Sequence, residues 1–163
     1  METQKIRSFR KLLRLFERLT AHQLKEDSCC QGVTLTQCHT ILEIEELGQA
    51  TTVEISKRLG LDKSTLSRTI DGLVNIGLVE RSPNPSDRRF TILSLTEHGQ
   101  HVADQINRSN DDYFGQVFKH VEIDRYDEVI DNFERLVLAM RDHQDSLKET
   151  TSYQPIIEKE KAR

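Results

Sequence analysis

Residues 62–92, DKSTLSRTIDGLVNIGLVERSPNPSDRRFTI, decide the fold: they predict a helix, a short strand and a hairpin with a basic tip. Asp62 is suited to cap the helix. Its first exposed turns offer Lys63, Ser64, Thr65, Ser67 and Arg68, all able to hydrogen-bond phosphates or base edges. Leu66, Ile70, Leu73, Val74 and Leu78 recur at helical steps, so one face packs while the polar face stays free. Gly77 ends the helix because it tolerates left-handed backbone. Leu78 to Arg81 and Phe90 to Leu95 then read as strands flanking the turn-forming run Ser82 to Asp87. Arg88 and Arg89 stand at the return of that turn, where a guanidinium can enter a narrow, electronegative minor groove. Asp87 is placed to brace an arginine by a bidentate pair. The plain alternative for these three residues is a solvated turn.

Upstream, two capping boxes set the frame. Thr34 with Gln37 opens a helix through about Leu47, and Thr51 with Glu54 opens a short one with Val53, Ile55 and Leu59 inward. Gly60 ends the short helix, and only Leu61 separates it from Asp62, which makes a helix-turn-helix. From about Lys5 to Lys25, Ile6, Phe9, Leu12, Leu13, Phe16, Leu19 and Leu24 mark a long amphipathic helix. Thr96 restarts a helix carrying Val102, Ile106, Tyr113, Phe114, Val117 and Phe118. After a break near His120 to Asp124, a last helix carries Tyr126, Val129, Ile130, Phe133, Leu136, Val137 and Met140. The terminal helices hold more apolar surface than one small lobe needs, which predicts pairing with a second copy. Two helices related by a two-fold axis would then read half-sites about one helical turn apart.

The expected fold class is mainly α with a small β-hairpin wing, a winged helix-turn-helix with long N- and C-terminal dimerisation helices. Residues 1–30 form the N-terminal dimerisation helix and loop, 31–97 the DNA-binding lobe, 98–147 the C-terminal dimerisation helices, and 148–163 a polar tail expected to be mobile. With three prolines, seven glycines and 6% aromatic residues among 163, the composition suits one helix-rich domain better than a sandwich or barrel. No apolar run approaches the roughly 18 residues of a membrane span. The first residues lack the uninterrupted apolar core and cleavage site of a signal peptide, so a cytoplasmic protein is expected. The net charge of −4 conceals a strong division: +5 over residues 1–25, −5 over 26–50, +2 over 51–96 and −6 over 97–163. Local basic surface governs phosphate contact more than the sum does. No phosphate-binding glycine loop, nucleophile elbow or suggestive carboxylate pair is present, so no enzyme is expected and no cofactor is required.

The chain resembles the MarR family of bacterial transcriptional regulators over roughly residues 5–145. The resemblance rests on an ordered set of segments: Thr34-Leu35-Thr36-Gln37; the helix-turn-helix from Thr52 to Thr65; Gly77-Leu78-Val79-Glu80-Arg81; Asp87-Arg88-Arg89; and Leu93 to Gly99. It implies an obligate homodimer whose first and last two helices interlock, with two lobes on a pseudo-palindromic double-stranded DNA operator. By position it implies recognition-helix contacts from Lys63, Ser64, Thr65, Ser67 and Arg68, with Arg89 in the minor groove and Asp87 shaping the wing. Members of the family usually repress transcription and are released by a small molecule, a metal or an oxidant.

Cys29, Cys30, Cys38 and His39 fall within eleven residues and depart from the common pattern. Thiolates with an imidazole suit a thiophilic metal ion as effector, and neighbouring thiols suit an oxidation switch. The alternative is packing: Cys38 shares an apolar face with Leu35, Ile41, Leu42 and Leu47. His98 and His101 sit one turn apart and read as exposed helix-start residues rather than a metal pair. The main reading is therefore a DNA-binding regulator released by an organic molecule, a thiophilic metal or an oxidant, with the cysteine-rich loop as the leading candidate for the control. The alternatives are a metal or thiol sensor with that cluster as its main input, and a protein-interaction winged helix that does not bind DNA.

Overall fold

The computed structural model describes residues 2–26, 32–85, 87 and 91–152. The chain divides into two compact units, Met1–Asp112 and Tyr113–Arg163. The first unit holds α1 (Glu2–Glu26), α2 (Leu35–Leu47), β1 (Ala50–Thr51), α3 (Thr52–Leu59), α4 (Lys63–Asn75), β2 (Val79–Pro83), β3 (Thr91–Leu95) and most of α5 (Glu97–Phe118). The second holds the end of α5, a 3-10 turn at Ile123–Arg125 and α6 (Tyr126–Ser152).

Both capping boxes form as their sequence predicts. The Thr34 hydroxyl accepts from the Gln37 N–H at 3.3 Å, while the Gln37 amide oxygen accepts from the Thr34 N–H at 2.8 Å. Thr51 and Glu54 repeat this at 3.3 and 2.7 Å, satisfying N–H groups that a helix start leaves without partners. The Thr51 N–H and hydroxyl together hold the Glu54 carboxyl below its ordinary pKa. Gly60 ends α3 with φ 63, a left-handed value that a side chain would resist. The Ser56 hydroxyl then donates to the Leu61 carbonyl at 2.8 Å and fastens the tight turn into α4.

The sheet is antiparallel in the order β1-β3-β2, with Arg81 opposite Leu93 and Ala50 opposite Leu93 on the other edge. The hairpin follows the sequence. The third strand does not: β1 is two residues long, too short to show alternation, and its Thr51 also caps α3.

A single core seats the helix-turn-helix. Ile41 and Ile44 of α2, Ile55 of α3, Leu66, Ile70 and Leu73 of α4, Leu93 of β3 and Ile106 of α5 are all inaccessible or nearly so. Each fully buried side chain of this size contributes about 1.5–3 kcal/mol. The expected inner face of α4 is thus the observed one, with Val74 partly buried beside it. Two expected core residues are corrected. Val53 is 52% exposed and Leu35 is exposed as well. Val53 lies two residues from buried Ile55, about 200° around the helix, so the two cannot share an inner face.

Thr96 fastens the end of the wing to the body. The Thr96 N–H donates to the Leu78 carbonyl at 3.1 Å and its hydroxyl donates to the Gly77 carbonyl at 2.6 Å. That same hydroxyl accepts from the Gly99 N–H at 2.9 Å and so caps α5. Nearby, Gln100 and Asn107 of α5 donate side-chain amides to the two Glu45 carboxylate oxygens of α2, both at 2.8 Å.

In the second unit the Tyr126 hydroxyl donates to the Phe118 carbonyl at 2.8 Å, and the two rings meet edge to face at 5.1 Å. The helix α6 continues to Ser152, and the rest of the expected tail lies outside the described residues. Large apolar side chains stand exposed on α1 (Ile6, Leu12, Leu19) and on α6 (Ile130, Val137, Leu147). Among the described residues no helix is long and apolar enough to cross a membrane.

Candidate nucleic-acid interface

The exposed face of α4 carries Lys63, Ser64, Ser67, Arg68 and Asp71, with Thr65 half-buried at its edge. Sequence spacing placed the first five expected residues on this helix start, and the structure brings them together there. Their hydroxyls are not idle. Asp62 accepts from the backbone N–H groups of Ser64 and Thr65, both at 3.0 Å, and from their hydroxyls, both at 2.6 Å. These bonds, the Ser64 hydroxyl first and the Thr65 hydroxyl next, hold the Asp62 carboxyl well below the ordinary carboxylate range. A depressed folded pKa means that the cap contributes stability at neutral pH and loses it as the pH falls from about 4 toward the folded value.

Three ion pairs, made by two arginines, follow from no sequence pattern because their partners lie far apart in the chain. Arg81 of β2 reaches Asp71 of α4 at 2.6 Å, tying the wing strand to the exposed face of the recognition helix. Arg58 of α3 bridges Glu43 and Glu46 of α2 at 2.8 and 2.9 Å, which raises the pKa of its guanidinium. The two arginines are exposed, so solvent screens these pairs and they contribute little to stability. Their larger effect is to neutralise two cations that would otherwise face solvent. Asp71 and Arg81 are the functional candidates that sequence reasoning missed.

Arg88 and Arg89 lie outside the described residues, as does any arginine partner of Asp87 there. Asp87 itself is half-buried, and its N–H donates to the Asn84 side-chain oxygen at 3.4 Å, a bond that closes the turn. Cys29 and Cys30 also lie outside the described residues. Cys38 is 4% exposed within the lobe core, whereas His39 is exposed. Neighbouring positions on a helix point about 100° apart, so these two side chains do not converge on one ion. Among the described residues no group of three or more His, Cys, Asp or Glu could hold a metal. Iodoacetamide should accordingly alkylate Cys38 about a hundredfold more slowly in the native protein than in urea, read by mass spectrometry of its peptide. Equal rates would show that the core opens readily around it.

Residues 33–91 match the model of the MarR family. The multiple antibiotic resistance protein MarR of Salmonella typhimurium is 33% identical over 93 residues, 56% of this chain and 65% of that protein. The Escherichia coli K12 protein of the same name is 36% identical over 76 residues, 47% of this chain and 53% of its own length. The matched stretch thus spans just under two thirds of the Salmonella protein. Among solved structures, the reduced form of E. coli MarR superposes with a TM-score of 0.65 at 26% identity, covering 77% of this chain and 93% of that one. A mutant of E. coli MarR complexed with operator DNA gives 0.60 at 25% identity, covering 78% and 96%. Streptococcus pneumoniae FabT in complex with DNA gives 0.72 at 18% identity, a likeness of fold, covering 82% and 98%.

Proposed function

We propose that the chain is a member of the MarR family, as its matches to that family's model and proteins support, and that it is a cytoplasmic, homodimeric transcriptional regulator that represses by occupying a pseudo-palindromic operator. The carrying observation is the exposed polar face of α4, with Lys63, Ser67 and Arg68 free of the core that holds the helix in place. A protein-interaction winged helix without DNA binding would have no use for cations there, and these side chains are exposed. The apolar faces of α1 and α6 supply the second copy's docking surface, and two lobes then address two half-sites.

An effector releases the operator by changing the spacing of the lobes; a coupling of a few kcal/mol suffices. An organic molecule is one class of effector. A thiophilic metal or oxidant acting through Cys29, Cys30, Cys38 and His39 is the second reading, weakened by the buried Cys38 and the outward His39.

Fluorescence anisotropy on the promoter of the neighbouring gene, with reductant, oxidant, metals and chelator in separate titrations, tests both parts. Saturable binding that resists non-specific competitor is expected, and its absence overturns the proposal. Replacement of Arg89 by Ala should weaken operator binding roughly tenfold at physiological salt while leaving the dimer intact. An unchanged affinity would remove the wing from the mechanism.

A further inference from the structure

Given the DNA-binding function proposed above, the hydrogen-bond polarity of α4 carries information about the bases it prefers. Ser64, Arg68 and Asp71 lie along one line of the exposed face, at steps of four and three residues. At about 1.5 Å of rise per residue, Ser64 and Asp71 are roughly 10 Å apart, close to three base-pair steps of about 3.4 Å.

A hydroxyl has one proton to donate and lone pairs with which to accept. The Ser64 proton is directed at Asp62 at 2.6 Å, and the Asp62 carboxylate also holds the Ser64 and Thr65 N–H groups and the Thr65 hydroxyl. What Ser64 presents outward is therefore an acceptor. Asp71 presents a carboxylate, which accepts only, and Arg81 at 2.6 Å offsets the charge that would otherwise repel a phosphate backbone. Arg68 between them can only donate.

We propose that Ser64 and Asp71 each accept a hydrogen bond from the exocyclic amino group of an adenine or cytosine about three base pairs apart, with Arg68 donating to a guanine between them. Phosphate oxygens, guanine O6 and N7, and thymine O4 are all acceptors and cannot pair with either residue while these bonds hold. Asp62 is a positioning residue: it touches no base and sets the polarity of Ser64.

The test uses the full chain. Sites are selected from a randomised duplex library, and each adenine or cytosine of the preferred half-site is then replaced by the analogue lacking its amino group. Two positions about three base pairs apart should each lose roughly tenfold in affinity. Asp62→Gly costs little as a helix cap but removes the acceptor that fixes the Ser64 proton, and should flatten the loss at the first position only. Ser64→Ala should do the same without touching the cap. Losses below twofold at every position, or full discrimination retained in both variants, would overturn the proposal while leaving the regulator function standing. Failure of the wild type to select any sequence would remove both.

Discussion

Gly99→Ala should cost about 3 kcal/mol or more, lowering the melting temperature by roughly 10 °C, and operator binding should fall with the folded fraction. An added Cβ would lie 2.0 Å from the Leu78 carbonyl oxygen and 2.9 Å from its carbon. Both are backbone atoms, so no side chain can swing aside. The chain must instead separate α5 from the end of α4, which stretches the Thr96 bonds to Leu78 and Gly77 and opens the core around Leu78, Val102 and Ala103. Gly115, in the same helix with nothing within 4 Å of its added Cβ, supplies the control. Alanine there should be neutral or stabilising by up to about 1 kcal/mol, because glycine is poor in a helix interior. Calorimetry of both variants decides the matter. Equal melting temperatures for Gly99→Ala and the wild type would show that the close approach is not maintained in solution.

The second large effect concerns assembly. Leu12 is 66% exposed on α1 and Val137 46% exposed on α6, each within a longer apolar face that a lone chain would leave in water. Leu12→Glu combined with Val137→Glu should convert the proposed dimer to a monomer by sedimentation velocity while the lobe keeps its helicity. Operator affinity should drop at least about a hundredfold, because the second lobe then no longer binds at the effective concentration set by the first. A double variant that remains dimeric would place the interface elsewhere.

Much of the lobe was legible because its signals are local. Thr34 with Gln37, Thr51 with Glu54, and Asp62 before a periodic run each specify a helix start within four residues, and each forms as expected. The apolar steps Leu66, Ile70, Leu73 fix which face of α4 is buried. What escaped is non-local or too brief. The pairs Arg81 with Asp71 and Arg58 with Glu43 and Glu46 join different elements, and no spacing rule encodes them. Strand β1 gives no periodicity in two residues. Val53 is apolar yet faces solvent because it lies about 160–200° around the helix from buried Ile55, and the same angular reasoning separates Cys38 from His39. The need for glycine at position 99 depends on a carbonyl twenty-one residues earlier, so only the fold reveals it.

The arginines held by carboxylates also bear on how the protein would behave as the ionic strength changes. Of the seven Lys and Arg of residues 51–96, Arg58 and Arg81 are engaged by glutamates and Asp71 and are the less available to phosphates. Each phosphate contact displaces about 0.9 of a condensed counterion, so every cation held by a carboxylate instead of a phosphate lowers the salt exponent by about that much. A lobe that keeps part of its positive charge at home has little grip on arbitrary duplex. Rising salt would strip it from random sequence first, leaving occupancy of a true site to rest on the fit of α4 to its bases.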